Sequence, residues 1–242
     1  MANENGRGKV LTFIRTNMIG IFAVVAVLML IIPIPKVLID FLMIINLALA
    51  LLVLLTVVYT PRASDLSSFP QIILFVTLFG LGINISSTRL ILSADGTNVN
   101  ALAKTQSAMV QAFADIVAGN SLVIGFVIFI ILIVVQVVVI TKGAGRVSEV
   151  SARFTLDSMQ VKQLDIDNQL SNGYITEEEA NRMKEQLRRD IDFYSNMDGS
   201  SKFVSGNVKA GIFITVVNLL GGFIVGMVYR HLSFMEALEL YT

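Results

Sequence analysis

The acidic and basic side chains in the polar middle of the chain are the groups whose spacing could support chemistry. Glu149, Arg153 and Asp157 fall at successive i,i+4 positions, which places them on one face of a helix. Asp198 and Lys202 repeat this spacing shortly before the chain becomes apolar again. Carboxylates paired with cations can change partners when they bind a proton, so the pattern indicates either proton-linked ion pairing or simple helix stabilisation.

Other patterns that could carry chemistry are weaker. The single histidine, His231, has no acidic residue placed to orient it, and the chain contains no cysteine. The segment Asp165–Gln169 begins like a calcium-binding loop, but Leu170 stands where the sharp turn requires glycine. The glycines after Lys142 lack the Lys-Ser/Thr ending of a phosphate-binding loop. We therefore predict no enzymatic activity, no cofactor and no metal site.

Long apolar runs determine the class of protein. Hydrophobic residues make up 55% of the chain and charged residues 15%, a balance typical of membrane proteins. Since a hydrocarbon core needs roughly 20 helical residues to cross it, the sequence predicts an all-α membrane protein. It should have about five transmembrane or part-spanning helices, with a small helical cytoplasmic subdomain between the fourth and the fifth. The predicted parts are a membrane domain over 1–141 with helices at about 18–35, 37–60, 69–91 and 116–141, the subdomain over 142–207, and a fifth membrane helix with the start of the next segment over 208–242.

Basic residues orient these predicted spans. Arg7, Lys9 and Arg15 precede the first apolar run, and no small-residue cleavage pattern ends that run, so it is predicted to be retained as a helix. The positive-inside rule then places the N-terminus and the 142–207 subdomain in the cytoplasm. Residues 93–115 should form an outer loop.

The 142–207 subdomain should contain two helices of the soluble type. One is predicted over Val147–Met159. The other begins at Thr176, which can form a capping box with Glu179, and runs to about Phe193. Such a subdomain is too small and too polar to form an independent enzyme core.

The third apolar run is unusual because its second half carries glycine, serine, Asn84 and Arg89. An arginine at the bilayer centre costs about 2.5 to 3.5 kcal/mol on insertion scales. Arg89 should therefore reach an interface, a partner carboxylate or a wet interior. Gly222 and Gly226 in the fifth span predict close helix packing.

One long motif resembles a known family. From Lys142 the chain reads Lys-Gly-Ala-Gly-Arg-Val-Ser-Glu-Val-Ser-Ala-Arg-Phe-Thr-Leu-Asp-Ser-Met-Gln-Val-Lys-Gln-Leu-Asp-Ile-Asp. This run resembles the signature of the FHIPEP family, the export-gate proteins of flagellar and injectisome type III secretion. Further resemblance lies in Ile-Pro-Ile-Pro before Asp40, in Ser-Ser-Thr-Arg89, and in Met-Asp198-Gly-Ser-Ser-Lys202. The similarity covers nearly the whole chain from about residue 20 onward.

Four residues depart from the family pattern. Gly80 stands where an arginine is usual, and Gln160-Val161 replaces a Pro-Gly. Asn207 replaces a residue that is commonly acidic, which weighs against a proton relay at that position.

The resemblance implies a component of the export gate in the bacterial inner membrane that couples the proton motive force to protein export. Family members continue with more membrane helices and a large cytoplasmic domain, and this chain is expected to be truncated before that part. The implied partners are further copies of the chain in a nonameric ring, other membrane proteins of the export apparatus, and exported proteins that dock on the missing C-terminal domain. The bilayer surrounds the spans, and no nucleic acid is expected as a partner.

Our hypothesis for the mechanism is a charged network between the subdomain and the helix ends that changes its pairing when protons arrive. Moving one charge through 100 mV is worth about 2.3 kcal/mol, so such groups can respond to a membrane potential. The resemblance leaves open whether the system is flagellar or an injectisome. Alternative functions are an ion or small-molecule secondary transporter, although no internal repeat is found, and a non-conducting membrane scaffold. The predicted network residues are Asp40, Arg89, Arg146, Glu149, Arg153, Asp157, Lys162, Asp198 and Lys202.

Overall fold

The computed structural model describes residues 18–93, 107–119 and 121–241, and these residues form helices and connecting turns without a strand. The all-α prediction is therefore confirmed. The predicted cytoplasmic N-terminus before residue 18 and residues 94–106 of the predicted outer loop lie outside the described residues. The elements are α1 (Met18–Ile31), α2 (Lys36–Tyr59), a 3₁₀ turn (Ala63–Asp65), α3 (Phe69–Ser93), α4 (Ala108–Ala118), α5 (Leu122–Val135), a π-helical stretch (Gln136–Ala144), α6 (Gly145–Ser171), α7 (Glu177–Ile224), a second π-helical stretch (Val225–Tyr229) and α8 (Phe234–Tyr241).

Four helical stretches among the described residues are long and apolar enough to cross a membrane. They are Lys36–Tyr59, Phe69–Ser93, Val123–Ser171 and Glu177–Tyr229. The most apolar 18 residues of the first and of the third stretch include no buried residue, as expected for surfaces that face lipid. The 14 described residues of α1 are also apolar, and they correspond to the first of the five predicted helices.

Prolines and left-handed residues determine where the helices end. Pro33 and Pro35 separate α1 from α2, and Pro70 lies in the first turn of α3, where a missing N–H costs nothing. The predicted fourth helix over 116–141 is corrected here, because Gly119 adopts φ +56° and ends α4, and α5 begins only at Leu122. Part of the predicted outer loop is thus helical.

The chain divides into two compact units. The first unit comprises residues 1–49, 75–130 and 211–242, and the second comprises residues 50–74 and 131–210. In the first unit, Met29, Phe79 and Ile83 form a buried apolar cluster between α1, α2 and α3.

Polar side chains of α3 also turn inward in the first unit. Ser86 is buried and donates a hydrogen bond to the Met29 carbonyl oxygen at 2.9 Å. Ser87 is buried as well. A hydroxyl in hydrocarbon needs an internal partner, and packing against α1 supplies one for Ser86.

The second unit contains a hairpin formed by α6 and α7. Met159, Ile166, Ala180 and Leu187 form its buried core. The turn between the helices places Gly173 at φ +73°, a conformation that glycine adopts without strain.

The predicted capping box at the start of α7 is present. The Thr176 backbone N–H donates to Glu179 Oε2 at 2.9 Å, and the Glu179 N–H donates back to Thr176 Oγ1 at 3.2 Å. Two of the otherwise unpaired N–H groups at the helix end are satisfied in this way.

The predicted short helices of the subdomain are parts of much longer ones. Val147–Met159 lies inside the 27 residues of α6, and the helix predicted to end near Phe193 continues through the 48 residues of α7 to Ile224. No proline follows residue 70, and Gly199 lies within the uninterrupted helix. The 142–207 subdomain is therefore not bounded by loops, since its helices continue from the apolar spans.

Candidate functional site

A cavity of about 660 Å³ lies between α6 and α7 in the second unit, where the apolar parts of the two helices give way to polar residues. We call it the charged cavity. Its lining residues are Thr141, Lys142, Gly145, Arg146, Glu149, Val150, Arg153, Phe154, Asp198, Ser201, Lys202, Ser205 and Lys209.

A smaller cavity of about 210 Å³ shares part of this lining. The shared residues are Glu149, Arg153, Asp198 and Lys202. Asp157 lines only the smaller cavity. The two cavities therefore share two acidic and two basic side chains.

Small residues allow α6 and α7 to approach closely along the charged cavity. The hydroxyl oxygens of Ser148 and Ser201 are 2.7 Å apart, which is a hydrogen bond across the two helices. A Cβ added at Gly145 would lie 3.8 Å from Ser205 Oγ, so this glycine permits contact at the span end. Ala152 is buried and lies one turn beyond Ser148 on α6.

A buried serine fixes α7 to the start of α3 within the same unit. Ser200 is 2% exposed, and its hydroxyl donates to the Pro70 carbonyl oxygen at 2.9 Å. Pro70 is itself fully buried. A buried hydroxyl without a partner is unfavourable, so this bond holds the face of α7 that carries Asp198 and Ser201 in a defined orientation.

Two ion pairs line the charged cavity. Lys202 Nζ lies 2.7 Å from Asp198 Oδ2, and Arg153 Nη2 lies 3.9 Å from Glu149 Oε1. The hydrogen bond with Asp198, together with the charge of that carboxylate, holds the pKa of Lys202 above its ordinary value. The other oxygen, Asp198 Oδ1, is buried and makes no hydrogen bond within the described part of the chain. Asp198 therefore retains an acceptor that a proton or a donor could occupy.

The charged cavity carries an excess of positive charge. Five of its lining residues are cations and two are acids. Lys142, Arg146 and Lys209 have no acidic side chain within 4.0 Å among the residues the structure describes. The surplus lies where the spans end, because Lys142 follows the apolar run of α5 and Lys209 precedes that of α7.

The structure brings together six of the nine predicted network residues. Arg146, Glu149, Arg153, Asp157, Asp198 and Lys202 all line one or both cavities. Lys162 is exposed further along α6 and lines neither of them. Asp40 and Arg89 belong to the first unit.

Asp40 and Arg89 make local contacts in the first unit. Asp40 Oδ1 accepts hydrogen bonds from the Ser107 hydroxyl and, at 3.4 Å, from the Met109 N–H, both at the start of α4. Arg89 Nη1 donates to the Ile31 carbonyl oxygen at 2.7 Å. A cation at the last carbonyls of a helix satisfies them and is favoured by the helix dipole. Arg89 thus has a polar partner at the end of α1.

The sequence analysis did not identify two candidate residues, Lys209 and Arg230. Lys209 was counted with the fifth span, although its i,i+7 spacing from Lys202 places both on one face of α7. Arg230 donates to the Leu92 carbonyl oxygen at 3.3 Å and so satisfies the last turn of α3, as Arg89 does for α1. No sequence pattern links Arg230 to a carbonyl 138 residues away.

The remaining chemistry is limited in the part of the chain that the structure describes. No group of three or more His, Cys, Asp or Glu side chains there could hold a metal ion. His231 is exposed and occupies a turn at φ +56°. The charged cavity offers five cations and two acids, and each acid lies beside one of the cations.

Comparison with known proteins identifies relatives along nearly the whole chain. The FHIPEP family model matches residues 26–242. The flagellar biosynthesis protein FlhA of Treponema pallidum is 47% identical, over 97% of this chain and 33% of that protein. The FlhA proteins of Borreliella burgdorferi and Bacillus subtilis are 50% and 47% identical, over 93% and 92% of this chain and 31% and 32% of their own lengths. The chain therefore spans about a third of the length of these relatives. No solved structure matches it.

Proposed function

The chain belongs to the FHIPEP family, and on this premise we propose that it is the membrane-embedded part of a flagellar export gate. In this proposal it lies in the bacterial inner membrane, with the N-terminus and residues 142–207 in the cytoplasm, and it couples the proton motive force to protein export. The relatives named above are flagellar biosynthesis proteins, which favours a flagellar system over an injectisome.

The partners we propose follow the family. Further copies of the chain would form a nonameric ring, and other membrane proteins of the export apparatus would surround or contact it. Exported proteins would dock on a region that the relatives have and that this chain does not cover. The exposed apolar surfaces of α2 and α5 support a bilayer around the spans.

The charged cavity is the feature that supports the proposed coupling step. Its residues continue directly from two membrane spans, because α6 follows the π-helical stretch without a loop and α7 is a single helix. Asp198 has one oxygen paired with Lys202 and a second oxygen buried without a partner. Protonation of this carboxyl would remove its attraction for Lys202 and would add to the existing positive surplus. Repulsion among the cations would then change the spacing of α6 and α7 at the span ends.

The experiment replaces single carboxylates in the full-length protein. Asp198→Asn retains the shape of the side chain but cannot change charge, so we expect export to fall strongly while membrane insertion stays normal. Asp157→Asn should have a smaller effect, because Asp157 forms no ion pair among the described residues. The readout is the amount of exported protein at equal expression.

Asp192→Asn is the matched control, because Asp192 is exposed on the same helix and lines neither cavity. Export should be unchanged in this variant. Undiminished export by Asp198→Asn would remove that carboxylate from the mechanism. A loss of export in all three variants would show that the assay responds to any charge change.

A further inference from the structure

We propose that the charged cavity is a binding site for the phosphate group of an anionic phospholipid. The ligand class is a glycerophospholipid with a negatively charged headgroup, such as phosphatidylglycerol. This inference is independent of the proposed export function, because it concerns what occupies the cavity and not what the protein transports.

The first observation is a set of three cations that form no ion pair among the described residues. Lys142, Arg146 and Lys209 line one cavity without an acid within 4.0 Å in the described residues. Like charges held together at a helix junction repel one another, so a bound anion would relieve that repulsion. Ammonium groups bind phosphate as point charges, and a guanidinium can bind two of its oxygens at once.

The second observation is that the acids of the cavity would not repel the anion. Asp198 is paired with Lys202, and Glu149 lies beside Arg153. The hydroxyls of Ser201 and Ser205 belong to the same lining and can donate to phosphate oxygens. A volume of about 660 Å³ accommodates a glycerophosphate headgroup.

The third observation distinguishes a lipid from a small soluble anion. Phe154 and Val150 line the cavity and are 72% and 44% exposed, so they offer an apolar wall. On the other side of Lys142, the exposed side chains of Val138 and Val139 continue along the span. A ligand with an anionic head and apolar chains fits this succession of cations and apolar surface. Basic pockets between membrane helices are known to take phospholipid headgroups.

The test measures lipid binding to the 242-residue chain purified in a neutral detergent. Binding of phosphatidylglycerol and of phosphatidylcholine is compared by native mass spectrometry, with the retained lipid counted. Each cation near an anionic lipid contributes roughly fivefold in affinity, so Lys142→Gln/Lys209→Gln should bind phosphatidylglycerol about 25-fold more weakly. Lys142→Arg/Lys209→Arg should bind as the unchanged chain does.

Arg182→Gln/Arg188→Gln is the matched control, because it removes the same charge from exposed positions of α7 outside the cavity. It should retain the lipid. Equal loss in the control and in the Lys142/Lys209 variant would overturn the site, as would equal retention of phosphatidylcholine and phosphatidylglycerol. Helix content by circular dichroism verifies folding, and Arg146→Gln, with a roughly fivefold loss expected, replaces the double variant if that variant does not fold.

A separate arm distinguishes the source of the phosphate. Free glycerol phosphate is added to the chain with phosphatidylglycerol bound. We expect no displacement at equal concentration, because the free anion lacks the acyl chains that would contact the apolar span end. Displacement at equal concentration would overturn the lipid assignment and would leave a site for a soluble phosphate.

Discussion

Replacement of Leu187 by alanine tests whether the α6–α7 hairpin depends on its small core. Leu187 is 7% exposed and packs in a cluster with Met159, Ile166 and Ala180. Removing three carbon atoms costs about 2.4 kcal/mol of transfer free energy. The cavity left behind adds to this, so we expect about 3 kcal/mol in total.

Hydrogen–deuterium exchange of the chain in detergent measures this loss locally. A cost of about 3 kcal/mol raises the population of the opened hairpin by about 100-fold, because each 1.4 kcal/mol is a factor of ten. Backbone amides around Ile166 and Ala180 should therefore exchange about 100-fold faster. Amides in the apolar part of α2 should be unaffected, because no described residue of α2 belongs to the hairpin core.

Leu164→Ala provides the control, because it is the same chemical change on α6 at a side chain that is 64% exposed. This variant should alter exchange by less than about threefold, since surface substitutions usually stay within about 0.5 kcal/mol. Exchange that rises equally in both variants, or that hardly rises in Leu187→Ala, would refute the assignment of the hairpin core.

Three further predictions concern α7 and the turn that precedes it. Gly173→Ala should destabilise the hairpin by about 1 to 2 kcal/mol in thermal unfolding, because the residue has φ +73°; Gly199→Ala, inside α7 with free space around it, should instead stabilise the helix by up to about 1 kcal/mol. The hydrogen bonds from the Thr176 N–H and hydroxyl lower the pKa of Glu179 below its ordinary value of 4.5, so this cap stabilises the helix above pH 4.5 and is lost as the pH falls through the lowered pKa. A carboxyl ¹³C titration should show that lowered pKa, and Thr176→Ala, which costs about 1 kcal/mol as a cap, should return it toward 4.5; an unchanged titration would contradict the capping argument.

The membrane spans could be predicted from the sequence because each depends on a single local property. A run of about 20 apolar residues must be helical in lipid, whatever its neighbours are. The breaks before residue 71 were also predictable, since all four prolines lie there and a proline interrupts a helix by its own geometry. The break at Gly119 was missed, because a glycine that ends a helix cannot be told by composition from one inside it.

The continuity of α7 could not be predicted from periodicity. The helix changes from a polar surface near Glu177 to an apolar one after Lys209, so no single hydrophobic pattern extends along it. Its interior glycines also lowered the expectation of a helix. Only the absence of proline after residue 70 indicated that nothing stops it.

The candidate site was predicted in part. The i,i+4 spacings identified residues that share a helix face, such as Glu149 with Arg153 and Asp198 with Lys202, because that spacing is a local property. Contacts across long chain separations, such as Arg89 with the Ile31 carbonyl, depend on how helices pack. The sequence predicts that Arg89 needs a polar partner, but it does not identify the Ile31 carbonyl as one.

The π-helical stretch Gln136–Ala144 changes the direction in which the side chains after it point. Each of its nine residues turns through less than the roughly 100° of an α-helical residue. The angular positions of residues in α6 therefore do not continue those of α5. A single helical wheel drawn over 122–171 would assign residues of one of the two helices to the wrong face. Adding or removing one residue in this stretch would rotate Gly145 and Ser148 away from Ser205 and Ser201 without opening a loop.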